Sequence, residues 1–212
     1  MNIFRITGDL LHYTAILTIF VKIVVSRSCQ GISGKSQILF FLVYISRYLD
    51  LFFNFISLYN TTVKVLLILS SLTNILLVFV KYRGTISDEI DNFRVELLVV
   101  AAAVLALLVN HEFSVLEVAW TFSVYLEAVA IAPQLAVSSK GKTVEPVILF
   151  YLISLAGHKL FYCFNWIYRY QREGHYDGIA VAAGLAQTMI YANFFVLYII
   201  KRISTSKLEA SV

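Results

Sequence analysis

The chain has 212 residues, 59% of them hydrophobic and 14% charged, with a net charge of +4 and a mean hydropathy of +0.79. A soluble domain carries about a quarter charged residues, so this chain lacks the polar surface of a soluble protein and reads as an all-α membrane protein. Two cysteines, Cys29 and Cys163, make neither a disulfide framework nor a metal cluster, and packing roles are expected for both.

A spanning helix needs about 20 mostly apolar residues. Seven segments qualify in chain order. The first, about 4–25, has a single cation, Arg5, at its start and lacks a small-residue cleavage site, so it reads as a span and not as a removed signal peptide. It carries His12. The second, 36–54, carries Arg47 and Asp50, whose spacing of three puts them on one face of a continuous helix. The third, 57–80, opens on the sequon Asn60-Thr61-Thr62, expected to stay unmodified because it lies too close to the membrane. The fourth, 95–109, is short. The fifth, 113–138, holds Glu117, Trp120 and Glu127, with Pro133 near its end. The sixth, 145–168, carries His158, Lys159, Tyr162, Asn165 and Trp166, with Arg169 just beyond. Positions 158, 162, 165 and 169 share one helical face. The seventh, 178–200, follows Asp177 and contains Asn193.

Seven spans put the termini on opposite sides. One side then holds Arg27, Lys35, Lys81, Arg83, Arg94, Lys140, Lys142, Lys201, Arg202 and Lys207; the other holds Arg5, Arg169 and Arg172. This asymmetry predicts a cytosolic C-terminus and a lumenal or extracellular N-terminus. Gly31-Ile32-Ser33 followed by Ile38-Leu39-Phe40-Phe41-Leu42 resembles Gly141-Lys142-Thr143 followed by Ile148-Leu149-Phe150-Tyr151-Leu152 at a constant offset of 110 residues. The match suggests one seven-helix domain over 1–202: a three-helix repeat at about 4–80, a linking helix at 95–109 and a parallel repeat at 113–200. This is the SWEET/PQ-loop-like arrangement of small sugar transporters. Residues 203–212 are expected as a short cytosolic tail.

Ionisable groups inside spans are costly and mark functional sites. No Ser-centred elbow, paired metal-binding histidines or phosphate loop is present, so no enzyme, metal, cofactor or nucleic-acid partner is expected. An Arg-rich polar cavity suits an anionic ligand, because guanidinium grips carboxylates through two parallel bonds. A sorting receptor, a transporter of small anionic solutes and a seven-helix signalling receptor all remain open on these grounds.

Two long stretches narrow the choice. Gly31 to Leu51 (GISGKSQILFFLVYISRYLDL) and Leu126 to Leu135 (LEAVAIAPQL), with the opening Met1 to Asp9 and Ser57-Leu58-Tyr59-Asn60, resemble the KDEL receptors (ER lumen protein-retaining receptors), over residues 1 to about 202. The resemblance implies a receptor that cycles between Golgi and ER in COPI vesicles. It implies capture of Lys-Asp-Glu-Leu or His-Asp-Glu-Leu tails in the acidic Golgi and release in the near-neutral ER. Carried over by position, Arg5, Arg47 and Arg169 contact the tail's carboxylates, with Tyr48 assisting Arg47. Glu117 and Trp120 hold its basic first residue. Asp50, Lys159, Tyr162, Asn165, Trp166 and Asp177 complete the cavity. His12 senses pH and Glu127 responds; a protonated histidine loses its charge near pH 6.5, between the acidic and the near-neutral compartment. Lys201, Arg202 and Lys207 would meet the COPI coat. The chain departs from the family at His158-Lys159, where Tyr-Arg is usual, at Asn193, where an acid is usual, and at Asn54 and Ala132. Lysine keeps the charge but loses the fork. His158 adds a second histidine to the pH-sensing group, and two charged histidines repel.

Overall fold

The computed structural model describes residues 2–209 apart from 54, 56, 87, 88 and 142, and omits the side chains of 52 and 205–209. Asn54, Lys142 and the Lys207 side chain therefore lie outside the described residues. The chain is all-helical: α1 (Ile3–Ser26), α2 (Gly34–Arg47), α3 (Leu58–Leu76), α4 (Val95–Leu108), α5 (Val115–Val129), α6 (Ala132–Lys140), α7 (Pro146–Glu173) and α8 (Gly178–Glu209).

Side-chain caps set where helices begin. The Asn2 carboxamide oxygen accepts from the Arg5 amide, Ser33 from that of Ser36, Ser57 from that of Asn60 and Ser114 from that of Glu117. Each satisfies a backbone N–H that has no partner within its helix. Pro146 occupies the first turn of α7, where its missing N–H costs nothing. Gly174, at φ +63°, ends that helix in the left-handed conformation that glycine adopts freely.

Five helices are long and apolar enough to cross a membrane among the described residues: Ile3–Ser26, Leu58–Lys81, Val115–Lys140, Pro146–Glu173 and Gly178–Ser204. The predicted spans at 36–54 and 95–109 appear as helices of 14 residues each. Such a helix rises only about 21 Å, less than the roughly 30 Å hydrocarbon core. The long fifth span is interrupted after Val129. Pro133 cannot donate to the Val129 carbonyl and its ring crowds it, so the helix stops and restarts at Ala132. The sixth span runs on to Glu173, which places Arg169 and Arg172 within the helix. The expected tail at 203–212 continues α8 as far as Glu209, since no Gly or Pro interrupts 201–209.

The helices pack in corresponding pairs. α1 lies against α7 and α2 against α5; α1 and α2 both meet α3, as α5 and α7 both meet α8, while α4 rests on α5. The two motif glycines do not share a conformation: Gly31 has φ +79°, whereas Gly141 has φ −71°.

One end of the bundle is tied shut. The Gln134 side chain accepts from the Ser33 amide at 2.8 Å and donates to the Gly31 carbonyl at 2.8 Å. Asp91 accepts from the Ser33 hydroxyl at 2.7 Å and the Lys35 amide at 3.1 Å. The carbonyl of Ala130, at the helix break, accepts from the Ser36 hydroxyl. Lys201 Nζ donates to the carbonyls of Ser139 (3.2 Å) and Gly141 (2.7 Å), fastening α8 to the end of α6. Arg202 is exposed nearby in sequence. Cys29 is buried at this end, and burial pushes its thiol above the ordinary range. Cys163 is half-buried, with its sulfur 3.8 Å from the Thr188 hydroxyl.

Candidate functional site

At the opposite end the helices part around a cavity of about 740 Å³. Its mouth carries Arg5, Glu112, Arg169 and His175; its base carries His12, Glu127, His158 and Lys159. Arg5 and His12 stand seven residues apart on α1, a depth of about 10 Å at 1.5 Å per residue. The sequence-predicted residues Arg5, His12, Arg47, Tyr48, Asp50, Glu117, Trp120, Glu127, His158, Lys159, Tyr162, Asn165, Trp166, Arg169 and Asp177 all line it. Asn193 does not; it lies on an exposed face of α8.

Glu127 organises the base. Its side chain is only 4% exposed, and a buried carboxylate is stable only when paired. One oxygen meets Arg47 Nη1 at 2.7 Å. The other accepts from Lys159 Nζ at 3.0 Å and faces His158 Nε2 at 3.6 Å. Arg47 also donates through Nε to the Ser123 hydroxyl (3.1 Å) and through Nη2 to the Ser123 carbonyl (3.2 Å). The continuous helix that would put Arg47 and Asp50 on one face does not form. α2 ends at Arg47, and Asp50 falls in a 3-10 turn, Leu49–Phe52. From there Asp50 pairs with Lys64 at 2.5 Å.

The two histidine rings lie close and tilted by 33°, with centroids 4.1 Å apart. His12 Nε2 lies 2.6 Å from the Tyr44 hydroxyl. His158 Nδ1 lies 2.9 Å from the Gly8 carbonyl. Gly8 is needed there: a Cβ would come within 2.8 Å of the Tyr162 ring. Tyr162 in turn donates to Asp9 at 2.6 Å, and Asp9 faces Arg5 at 4.0 Å. Trp166 packs against Gly184, where a Cβ would sit 2.3 Å from its ring. Asn165 accepts from the Asn2 side chain at 2.8 Å. Arg169 pairs with Glu173 at 2.8 Å at the outer edge.

The mouth is acidic on its α5 and α8 side. Glu117 accepts from the Thr121 hydroxyl at 3.3 Å and makes no ion pair among the described residues, so it suits a basic group from a ligand. Asp177 caps α8 through the Ala180 amide (3.0 Å) and meets His111 at 3.2 Å. Asp9, Asn60, Lys64, Glu112, His175 and Gln187 also line the cavity and were not among the predicted site residues. Lys64 was legible as a charge within the third apolar segment, and Asp9 by its spacing of four from Arg5.

A deep polar cavity, open at one end of an apolar helical bundle and lined by both cations and carboxylates, has the chemistry to hold a small ligand bearing both charges. The family profile of ER lumen protein retaining receptors matches residues 28–169. The chain is 51% identical over 207 residues to an ER lumen protein-retaining receptor of Caenorhabditis elegans, covering 98% of this chain and 97% of the relative. It is 50% identical over 209 residues to the ER lumen protein-retaining receptor of Drosophila melanogaster, covering 99% of each. It is 51% identical over 209 residues to ER lumen protein-retaining receptor 2 of Gallus gallus, again covering 99% of each. The chain belongs to the ER lumen protein-retaining receptor family.

Proposed function

We propose that this protein is a pH-dependent sorting receptor that captures escaped ER lumenal proteins by an acidic C-terminal tail of the Lys-Asp-Glu-Leu or His-Asp-Glu-Leu type. The observation that carries the reading is the charge layout of the cavity in a chain of this family. Arg5, Arg47, Lys159 and Arg169 offer four cations for a ligand's carboxylates, while Glu117 and Asp177 offer acceptors for its basic residue. A volume of about 740 Å³ lies within the roughly 300–1,000 Å³ of small-ligand sites. In this reading Tyr48 assists Arg47 at the terminal carboxylate, Trp120 flanks the basic residue, and Asp50, Tyr162, Asn165 and Trp166 complete the walls. His12, His158 and Glu127 sense pH. Receptor names among the relatives favour this reading over a solute transporter or an enzyme.

The protein sits in ER and cis-Golgi membranes with the cavity mouth and N-terminus lumenal and the C-terminus cytosolic. The basic loop residues that cluster at the closed end support this orientation. Seven spans in a three-one-three arrangement are supported by the matched packing of α1, α2 and α3 with α5, α7 and α8. Lys201, Arg202 and Lys207 present the tail to the COPI coat, and Asn193 belongs to the trafficking face of α8.

The reading is tested by secretion. Cells lacking their own receptor are given this chain and a lumenal reporter ending in Lys-Asp-Glu-Leu. The reporter is expected to be retained, whereas a reporter with the same residues scrambled is secreted. Equal secretion of both reporters would remove the sorting role.

A further inference from the structure

We propose that the cavity opens sideways as well as at its mouth, through a slot between α1 and α3, and that an acyl chain of a phospholipid from the mouth-side leaflet fills this slot. The site lies beyond the sorting reading and needs only that the chain cross a membrane. Two leucines mark it. On α1, Leu10 belongs to an exposed stripe with Leu17, Val21 and Val24. On α3, Leu66 belongs to an exposed stripe with Tyr59, Leu69 and Leu76. Recurrence at three, four and seven residues makes each stripe a single helix face, and on an apolar span the exposed face is the one that lipid covers. Leu10 is 64% exposed and Leu66 is 41% exposed, yet both also line the cavity. A side chain meets both surroundings only where the wall between them is open. Half-buried Tyr13 and Val63 edge the gap. Deeper in the bundle the gap closes, where the Asn74 side chain of α3 donates to the Ile16 carbonyl of α1 at 3.2 Å.

Depth selects the occupant. At about 1.5 Å per residue, Leu10 lies roughly 10 Å below the start of α1 and Leu66 roughly 12 Å below the start of α3. Both levels fall within a hydrocarbon layer of about 30 Å, where the neighbours are acyl chains. Water filling the slot would meet those chains across open apolar surface, which is unfavourable. An acyl chain drawn into the gap instead packs on the two leucines, Tyr13 and Val63, and separates the bilayer from the polar interior. Dispersion contacts along the chain hold it there. At the mouth end of the slot stand exposed Arg5 and Tyr59. A cation and an aromatic ring suit the level of a phosphate headgroup. A phospholipid satisfies both ends of the slot, whereas a detergent tail satisfies only the apolar one.

The test uses the full chain without tail peptide, so failure of the sorting reading leaves it untouched. In nanodiscs of phosphatidylcholine, a phosphatidylcholine with a diazirine midway along one acyl chain is photolysed, and the adducts are mapped by mass spectrometry. Adducts are expected on Leu10 and Leu66, on Tyr13 and Val63, and on Asp9, which lines the cavity behind them. Adducts confined to the outer stripes, such as Leu17 and Leu69, would overturn the proposal. Native mass spectrometry of protein released from detergent gives the second readout. The wild type is expected to retain one phosphatidylcholine. Leu66→Trp, whose indole fills the slot, is expected to lose it, and Leu69→Trp, farther along the same stripe, to keep it. A wild type that retains no phospholipid or only detergent, or equal retention by all three proteins, would overturn the proposal. Where Leu66→Trp fails to fold, the adduct map of the wild type decides.

Discussion

Glu127→Ala is expected to destabilise the folded protein by about 3–5 kcal/mol, the cost of removing one partner from a buried ion pair. The magnitude follows from how much depends on one carboxylate. Arg47 at 2.7 Å and Lys159 at 3.0 Å both terminate on it, and Lys159 is 7% exposed. Without Glu127 two cations face each other at the base of the cavity, and repulsion replaces attraction. Ser123 retains its two bonds from Arg47, but it is neutral and leaves both charges uncompensated. Thermal unfolding in detergent measures the effect. Lys159→Met in the Glu127→Ala background should restore part of the loss, because the two sites are in contact and their effects do not add. An unchanged melting temperature in Glu127→Ala would show that the pair carries no stability.

The second large effect is on binding. Arg47→Lys is expected to weaken tail-peptide affinity about 10–100-fold. Hydrogen bonds to charged groups contribute about 1.5–3 kcal/mol each, and every 1.4 kcal/mol is about tenfold. Arg47 uses three separate nitrogens, on Glu127, the Ser123 hydroxyl and the Ser123 carbonyl. A lysine ammonium is one point charge on a flexible stem and cannot hold Ser123 while presenting a second edge to a carboxylate. The substitution conserves charge, so stability should change far less than in Glu127→Ala. Peptide titration by calorimetry measures it. Unchanged affinity would assign the terminal carboxylate to Arg5 or Lys159 instead.

Much of this site was legible before any coordinates. The four-residue rhythm of 158, 162, 165 and 169 placed one face of the sixth span toward a polar interior, and all four line the cavity. Hydropathy located the helices because lipid-facing positions need no polar cover; Leu10, Leu69 and Met189 remain 54–69% exposed. Pairings were less legible. Arg47 and Glu127 are 80 positions apart, and no local spacing joins them. Placing Arg47 and Asp50 on one face assumed a helix continuing past Tyr48, but α2 ends at Arg47 and Asp50 pairs with Lys64. Lys64 itself was overlooked within an otherwise clean apolar run, although the rule that flagged His12 applies equally to it. The division of span five was foreshadowed by Pro133, yet only the structure shows the freed Ala130 carbonyl meeting Ser36.

The departures from the family pattern acquire physical content. His158 sets a second imidazole beside His12 and 3.6 Å from Glu127, while the Tyr44 hydroxyl contacts His12 Nε2. Lys159 contacts one oxygen of Glu127, and Arg47 takes the other.

The central claim is that the cavity binds a C-terminal carboxylate in acid and releases it near neutrality. The direct measurement is a titration of purified protein with a peptide ending in Lys-Asp-Glu-Leu, and with its C-terminally amidated form, at pH 5.5 and 7.4. The account predicts tight binding of the free acid at pH 5.5, at least tenfold weaker binding at pH 7.4 for a single linked proton of roughly this pH span, and little binding of the amide at either pH. Equal affinity for the free acid at both pH values, or equal affinity for acid and amide, would contradict it.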